Sequence, residues 1–313
     1  MNNDLPTQLT APKRDHYEPV IDSRIGVNIM HTSSADNQLR GWLATTTAWI
    51  LLGTNYWVIH QFLFAVPPLW ASALRALPAG IALLLIVRRL PSGKWWWRSA
   101  VLGSLSMGLF FLLLYIAAQR LPSSIAASIG ALSPLVFAGV AWLLMGERVN
   151  VRFLGGAALG IIGILLIVGA KGGAIDAVGV AASFGAIILM AIGAVLGKRW
   201  GDGTPVLATT AWQLMAGGVE LLIVAILAEG APPAVSSSEL IAFTYISLIS
   251  TAFSYACLFA GFRYLGAGTV GLVGLLSPVT GVLMGVTLAS ESLTMTQSLG
   301  IGLVLFSIVL AQS

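Results

Sequence analysis

The sequence predicts an all-α membrane protein: ten transmembrane helices, arranged as two inverted five-helix repeats. Three observations lead there. Only 9% of the 313 residues are charged and 57% are hydrophobic, whereas soluble domains carry about 25% charged residues. Apolar runs close to the ~20 residues that cross a bilayer follow one another along the chain. A motif also recurs: "GALSPLVFAGVAWLLMGER", from Gly130 to Arg148, is echoed by "GLLSPVTGVLMGVTLASES", from Gly274 to Ser292.

Taken in order, residues 1–41 are polar, carry Pro6, Pro12 and Pro19, and read as a flexible cytoplasmic tail. No signal-peptide core with a small-residue cleavage site is present, so the first apolar segment is expected to be an uncleaved insertion signal. Spans are expected at 42–65, 68–87, 99–118, 122–144 and 151–169, then at 177–197, 205–227, 240–261, 267–288 and 295–311. The repeats are thus 42–169 and 177–313. The longest polar stretch between spans is "EGAPPAVSSSE" at 229–239.

Charge placement supports that count. With the amino terminus inside, Lys13, Arg14, Arg24, Arg40, Arg88, Arg89, Lys94, Arg98, Arg148, Arg152, Lys198, Arg199 and Arg263 are cytoplasmic, thirteen of the sixteen Lys and Arg. Arg120 and Lys171 fall outside, and Arg75 lies within a span. This asymmetry predicts both termini in the cytoplasm, and the expected location is a bacterial inner membrane. The net charge of +4 is therefore a topology signal and no mark of nucleic-acid binding. In "KWWWR" at 94–98, three Trp between two cations are expected to anchor at headgroup depth. Cys257, the one cysteine, reads as a small packing residue.

The echo reaches beyond the motif. Gly130, Leu132, Ser133, Pro134 and Glu147 recur 144 residues later as Gly274, Leu276, Ser277, Pro278 and Glu291. A 138-residue offset pairs Pro67 with Pro205, Gly80 with Gly218 and Arg75 with Gln213. Five crossings per unit force the second copy to enter from the opposite face, an arrangement many secondary transporters use. Pro134 and Pro278 should kink the fourth and ninth spans, since proline lacks an N–H and crowds the carbonyl four residues back. Those carbonyls belong to Gly130 and Gly274. Ser133 and Ser277 are the hydroxyls placed to satisfy them. Two such kinks either fill with packing or border a polar central cavity, one per repeat.

Ionisable residues within the spans are His60, Arg75 and Glu220, and each is costly in hydrocarbon. Arg75 and Glu220 lie about seven residues inside the outer ends of spans two and seven, roughly 10 Å deep. They are expected to pair or share a polar pocket, the alternative being separate snorkelling to the headgroups. His60 reads either as a pH-sensitive gate or as a histidine hydrogen-bonded in packing. Asn55, Tyr115, Gln119, Trp212, Gln213 and Tyr255 complete the candidate cavity wall with Ser133, Pro134, Ser277 and Pro278. No HExxH, CxxC pair, phosphate loop, dinucleotide fingerprint or GxSxG elbow occurs. No cofactor, metal or catalytic residue is expected, and an integral-membrane lipid enzyme would need an acid, histidine or ligand cluster that the chain lacks.

With the ten spans, the repeated Ser-Pro-to-Glu element and "PPLWASALRALPAG" at the entry to span two, the sequence resembles the EamA family of the drug/metabolite transporter superfamily. Within it, "RRLPSGKWWWRSAVLG", "LYIAAQRLPSSIAASIGALSPL" and "AWQLMAGG" are most similar to the branch named for a blue-pigment (indigoidine) exporter. The resemblance covers residues 42–311. It implies a ten-helix bundle around a central cavity, with spans five and ten peripheral, and secondary transport of a small organic solute. The expected function is export of a small amphipathic metabolite or toxic compound by alternating access, with an uptake carrier or exchanger of the same fold as the alternative. A proton or counter-solute is expected to supply the drive, carried by Glu220 or His60 if by a titrating group.

Overall fold

The computed structural model describes residues 23–146, 151–169, 176–265, 270 and 273–312. The chain is helical throughout: α1 (Ser23–Gly53), α2 (Asn55–Phe62), α3 (Pro68–Val87), α4 (Trp95–Gly103), α5 (Phe110–Arg120), α6 (Ser123–Gly130), α7 (Ser133–Met145) and α8 (Val151–Gly169) form the first half. The second half holds α9 (Ala177–Trp200), α10 (Val206–Ala228), α11 (Ser237–Thr244), α12 (Ser254–Tyr264), α13 (Leu276–Thr287) and α14 (Met295–Gln312). Widened π turns at Ser104–Leu109 and Tyr245–Phe253 join α4 to α5 and α11 to α12.

Among the described residues, six helical stretches are long and apolar enough to cross a membrane. Shorter apolar stretches fall at Gly155–Ile167, Leu276–Thr287 and Met295–Ser307. The end of α1 with α2 makes the first span. One boundary differs from expectation: α1 begins at Ser23, inside the segment read as a tail. Nothing between Pro19 and Pro67 bars a helix.

The repeat is written in backbone geometry. Pro67 and Pro205 cap α3 and α10 in the same extended conformation, φ −53 and −55. The π turns end at Leu109 and Phe253, and α5 and α12 then match residue for residue at the 144 offset. Both close on an extended leucine, Leu121 (φ −116, ψ 147) and Leu265 (φ −118, ψ 149). Packing obeys the same exchange. Spans two and seven, four and nine, and five and ten pack as pairs, while span one lies on span eight and span three on span six. Swapping the halves maps this set of contacts onto itself, as a pseudo-two-fold axis requires.

Glycine sets the closest approaches. A Cβ on Gly217 would stand 2.5 Å from the carbonyl oxygen of Gly103, and one on Gly163 would stand 2.8 Å from that of Gly300. The first contact locks span seven on span three, the second span five on span ten.

The Ser-Pro elements break their helices outright instead of merely kinking them. The fourth span stops at Gly130, turns through Ala131 and Leu132, and restarts with Pro134 in the first turn of α7, where its missing N–H is not needed. Ser133 Oγ donates to the Gly130 carbonyl at 2.5 Å. The ninth span turns at Gly274 and Leu275, the repeat-related place, and restarts at Leu276. A third break, absent from the sequence reading, splits the first span at Thr54. Thr54 Oγ1 and Asn55 Nδ2 donate to the carbonyls of Leu51 and Leu52, each at 2.8 Å, so the interrupted backbone stays satisfied away from water.

Carboxylates from one half hold helix starts of the other. Glu229 at the end of α10 accepts from the backbone N–H groups of Leu69 and Trp70, each at 3.0 Å. Glu291 accepts from those of Ser123 and Ser124 at 2.7 and 3.0 Å. Both contacts place negative charge at a helix amino terminus. Glu147, the repeat partner of Glu291, lies outside the described residues.

Candidate functional site

The thirteen residues singled out from the sequence separate into layers. Gln119 Nε2 donates to the carbonyls of Leu63 and Val66 at 3.0 and 2.8 Å and ties down the turn after α2. His60 Nδ1 lies 3.0 Å from the Ala118 carbonyl. Because a carbonyl only accepts, that nitrogen carries the hydrogen, and His60 is a packing residue in this arrangement. Trp212 Nε1 donates to the Arg89 carbonyl at 2.7 Å, at the opposite end of the bundle. Gln213 packs beside Gly103.

Arg75 and Glu220 do not pair. Glu229 against Leu69, and Gly218 against Ala76 and Leu77, set a register that puts the two residues at the same level. They leave on different faces. Glu220, half-buried, accepts from Ser104 Oγ on the third span at 2.5 Å. Arg75 points into the bundle. An α-helix turns each residue 100° from the last, so equal depth does not secure a shared face.

Arg75 is the centre of the middle layer. It is 2% exposed. Its Nε donates to Thr251 Oγ1 at 3.1 Å, and its guanidinium carbon sits 4.2 Å from the centroid of the Phe111 ring. Tyr115 stands one turn beyond Phe111 on the third span, and Tyr255 one turn beyond Thr251 on the eighth. The Arg75 carbonyl accepts from Ser247 Oγ at 2.8 Å. Beneath, Ser250 Oγ donates to Asn55 Oδ1 at 2.9 Å, joining the first span to the eighth. Tyr56 reaches toward Gly130 at the break of the fourth span, and Gly53 abuts Ser277 at that of the ninth. Residues of the first-span break therefore touch both Ser-Pro breaks, Tyr56 at Gly130 and Gly53 at Ser277.

The layer is polar, charged and buried. Arg75 makes no ion pair with a described residue; Arg98–Asp202 at 3.5 Å and Arg120–Asp176 at 2.8 Å are ion pairs of the bundle ends. Arg75 Nη1 and Tyr115 Oη are buried without a hydrogen-bond partner among the described residues. Withdrawing an ion from water costs several kcal/mol. A desolvated cation–π contact returns about 2 kcal/mol, and each unmet donor costs roughly 1–3 kcal/mol more. A span built only to pack would not carry this group.

Two cavities lie at the ends. One, of about 650 Å³, is polar and opens among Ser92, Lys94, Arg98, Arg199, Asp202 and Thr204. Trp95 belongs to it: Nε1 donates to Asp202 at 2.9 Å and the ring packs on Trp212 at 5.7 Å. Only Trp96 and Trp97 of the "KWWWR" run face outward, 62% and 50% exposed, so the anchoring reading fails for the first tryptophan. Helix geometry is the reason, since three consecutive residues cannot share one face. Hydrogen bonds from the Thr204 hydroxyl and Trp95, with the backbone N–H of Thr204 and the Arg98 charge, hold the Asp202 carboxyl below the usual range. The other cavity, of about 380 Å³, is an apolar groove between the first, eighth and ninth spans, lined by Trp57, Phe62, Ile241 and Met284. Its floor is the Thr54–Tyr245 hydroxyl contact at 2.8 Å, close to Asn55 and the Arg75 layer.

Sequence reading missed Thr251, Ser247, Ser250, Phe111 and Tyr56. A signal for the first three existed: Ser247, Ser250, Thr251 and Ser254 recur at three- and four-residue steps, one hydroxyl-bearing face of the eighth span. All four are buried.

The model of the EamA-like transporter family matches residues 39–169 and again 177–312, both halves of the bundle. The chain belongs to the EamA-like transporter family. It is 36% identical over 262 residues to Protein PecM of Dickeya dadantii (strain 3937), covering 83% of this chain and 88% of PecM. It is 28% identical over 274 residues to the uncharacterized inner membrane transporter YedA of Escherichia coli (strain K12), covering 84% and 87%. A solved crystal structure superposes with a TM-score of 0.61 at 21% identity, covering 88% of this chain and 96% of that one, and shares the fold. This EamA protein is therefore an integral-membrane secondary transporter of small solutes and not an enzyme. The described residues hold no His, Cys, Asp and Glu group able to bind a metal ion.

Proposed function

We propose that the chain exports a small amphipathic metabolite or toxic compound from the bacterial cytoplasm by alternating access. The observation that carries the reading is the occluded Arg75 layer at the pseudo-two-fold interface, beside a first-span break that touches both Ser-Pro breaks, and flanked by a polar cavity and an apolar groove. The Lys/Arg-rich end, with Arg88, Arg89, Lys94, Arg98, Lys198 and Arg199, faces the cytoplasm on the positive-inside argument, and both termini lie there. The polar cavity then receives solute from water. The apolar groove, at the far end and between the two halves, suits release of a molecule with an oily body. The resemblance to the blue-pigment exporter branch agrees with this polarity of entry and exit.

Breaks at residues 131–132 and 274–275 let the two halves rock about the Arg75 layer without losing backbone hydrogen bonds. A proton or an exchanged solute supplies the drive. The test is solute flux in everted and right-side-out vesicles carrying the full chain. Accumulation in everted vesicles alone supports export. Accumulation only in right-side-out vesicles makes the chain an uptake carrier, and exchange in both makes it an equilibrating one.

A further inference from the structure

The middle layer has no anionic acceptor facing Arg75 among the described residues. Arg75 Nη1 and Tyr115 Oη are buried donors with nothing to donate to among the described residues. Thr251 Oγ1 already accepts from Nε, which leaves its own hydrogen to give. One fixed positive charge stands there, and Glu220 is turned away toward Ser104. Rings line the layer: Phe111 lies against the guanidinium, and Tyr115 and Tyr255 stand one helical turn along from Phe111 and Thr251. Nη1 and Oη can both donate to an oxyanion, and the Phe111 ring beside the guanidinium suits a flat apolar body.

We propose that this layer is a binding site for a small aromatic monoanion, a carboxylate or similar oxyanion on a planar ring. The oxyanion would accept from Arg75 and Tyr115, and the ring would lie beside Phe111 and Tyr255. A single guanidinium balances one charge. A dianion would need a second cation, and His60, another ionisable group of the spans, is bound to the Ala118 carbonyl instead. The small exposure of Arg75 means that ligand enters only when the halves part, so the proposal rests on the alternating-access reading for entry and on none of its directionality.

A second consequence follows from the same charge. With no ligand bound, Arg75 sits where a neutral side chain would be better tolerated, and strain of this kind marks functional positions. Removing the charge should raise stability while abolishing binding. A structural arginine would do the opposite.

The test is thermal unfolding of the purified full chain with matched acids and amides: benzoate and benzamide, phenylacetate and phenylacetamide, indole-3-acetate and indole-3-acetamide. At least one acid should raise Tm by roughly 5 °C at about 100-fold over its dissociation constant, while its amide leaves Tm unchanged. Arg75→Gln should lose that shift and, without ligand, unfold at a higher temperature than the parent. Thr251→Val should weaken binding and keep the preference for acids. An amide as effective as its acid, an acid shift that survives Arg75→Gln, no shift with any acid, or an Arg75→Gln chain that unfolds earlier or fails to fold would each overturn the proposal. Vesicle flux separates this from the functional reading. Outward flux without acid-selective shifts keeps export and removes the anion, whereas acid-selective shifts without outward flux keep the site and remove the direction.

Discussion

Spans two and seven are copies of one helix, and each carries one buried-side ionisable residue at the same level. Arg75 on α3 is sealed among a hydroxyl and aromatic rings, without a counter-charge among the described residues. Glu220 on α10 is half-buried and held by Ser104. The repeat position of Arg75 is Gln213, a neutral residue. Duplication thus built a symmetric frame, and point differences on it made an asymmetric interior. On the proposed reading, the frame is what moves and the asymmetry is where a ligand stays.

The largest effect should come from the centre of that comparison. Arg75→Ala should cut transport by about 10- to 100-fold, the worth of a hydrogen bond to a charged group; growth protection against exported compounds in a transport-deficient host measures it. Glu220→Gln should change the same readout by less than about 3-fold. Equal losses in the two variants would mean that the layers are one site after all.

The frame can be broken separately. Gly217→Val drives a side chain into Gly103 and should destabilise the fold by about 1–3 kcal/mol, read as a lowered unfolding temperature. Glu291→Gln removes a charged acceptor from the start of α6 and should cost about 0.5–2 kcal/mol, with Glu229→Gln similar at α3. Both should lower stability more than they lower the affinity of the Arg75 layer.

The smallest effect is at the polar cavity. The Asp202 carboxyl lies below its reference of 3.8, chiefly through the Thr204 hydroxyl. A depressed carboxylate stabilises the fold above that reference, and the contribution disappears as pH falls through the folded value. Asp202→Asn should therefore lower the unfolding temperature slightly at neutral pH, flatten the acid limb below about pH 4, and converge with the parent at the acid end. An acid limb as steep as the parent's would show that the Thr204 and Trp95 hydrogen bonds do not hold the carboxylate in the folded chain.

Much of this was readable in the residue order. Composition implied the bilayer, the echo of Gly130–Pro134 in Gly274–Pro278 implied two halves, and the Ser133 hydroxyl indeed meets the carbonyl that Pro134 strands. Other readings failed where direction around a helix mattered. Trp95 turned inward while Trp96 and Trp97 did not, and Arg75 turned from Glu220. Gln119 and Trp212, polar and within spans, bind backbone carbonyls at opposite ends and never reach the middle.

Span number, repeat offset and the positions of the two Ser-Pro breaks follow from local chemistry, because hydropathy, proline and glycine act on their own segment of chain. Which buried donor meets which acceptor does not. That choice joins Arg75 to Thr251 across 176 residues and Asn55 to Ser250 across 195, and it depends on helix rotation and on the packing of one half against the other. A one-dimensional pattern states that a polar group is buried; only the folded bundle states which partners reach it.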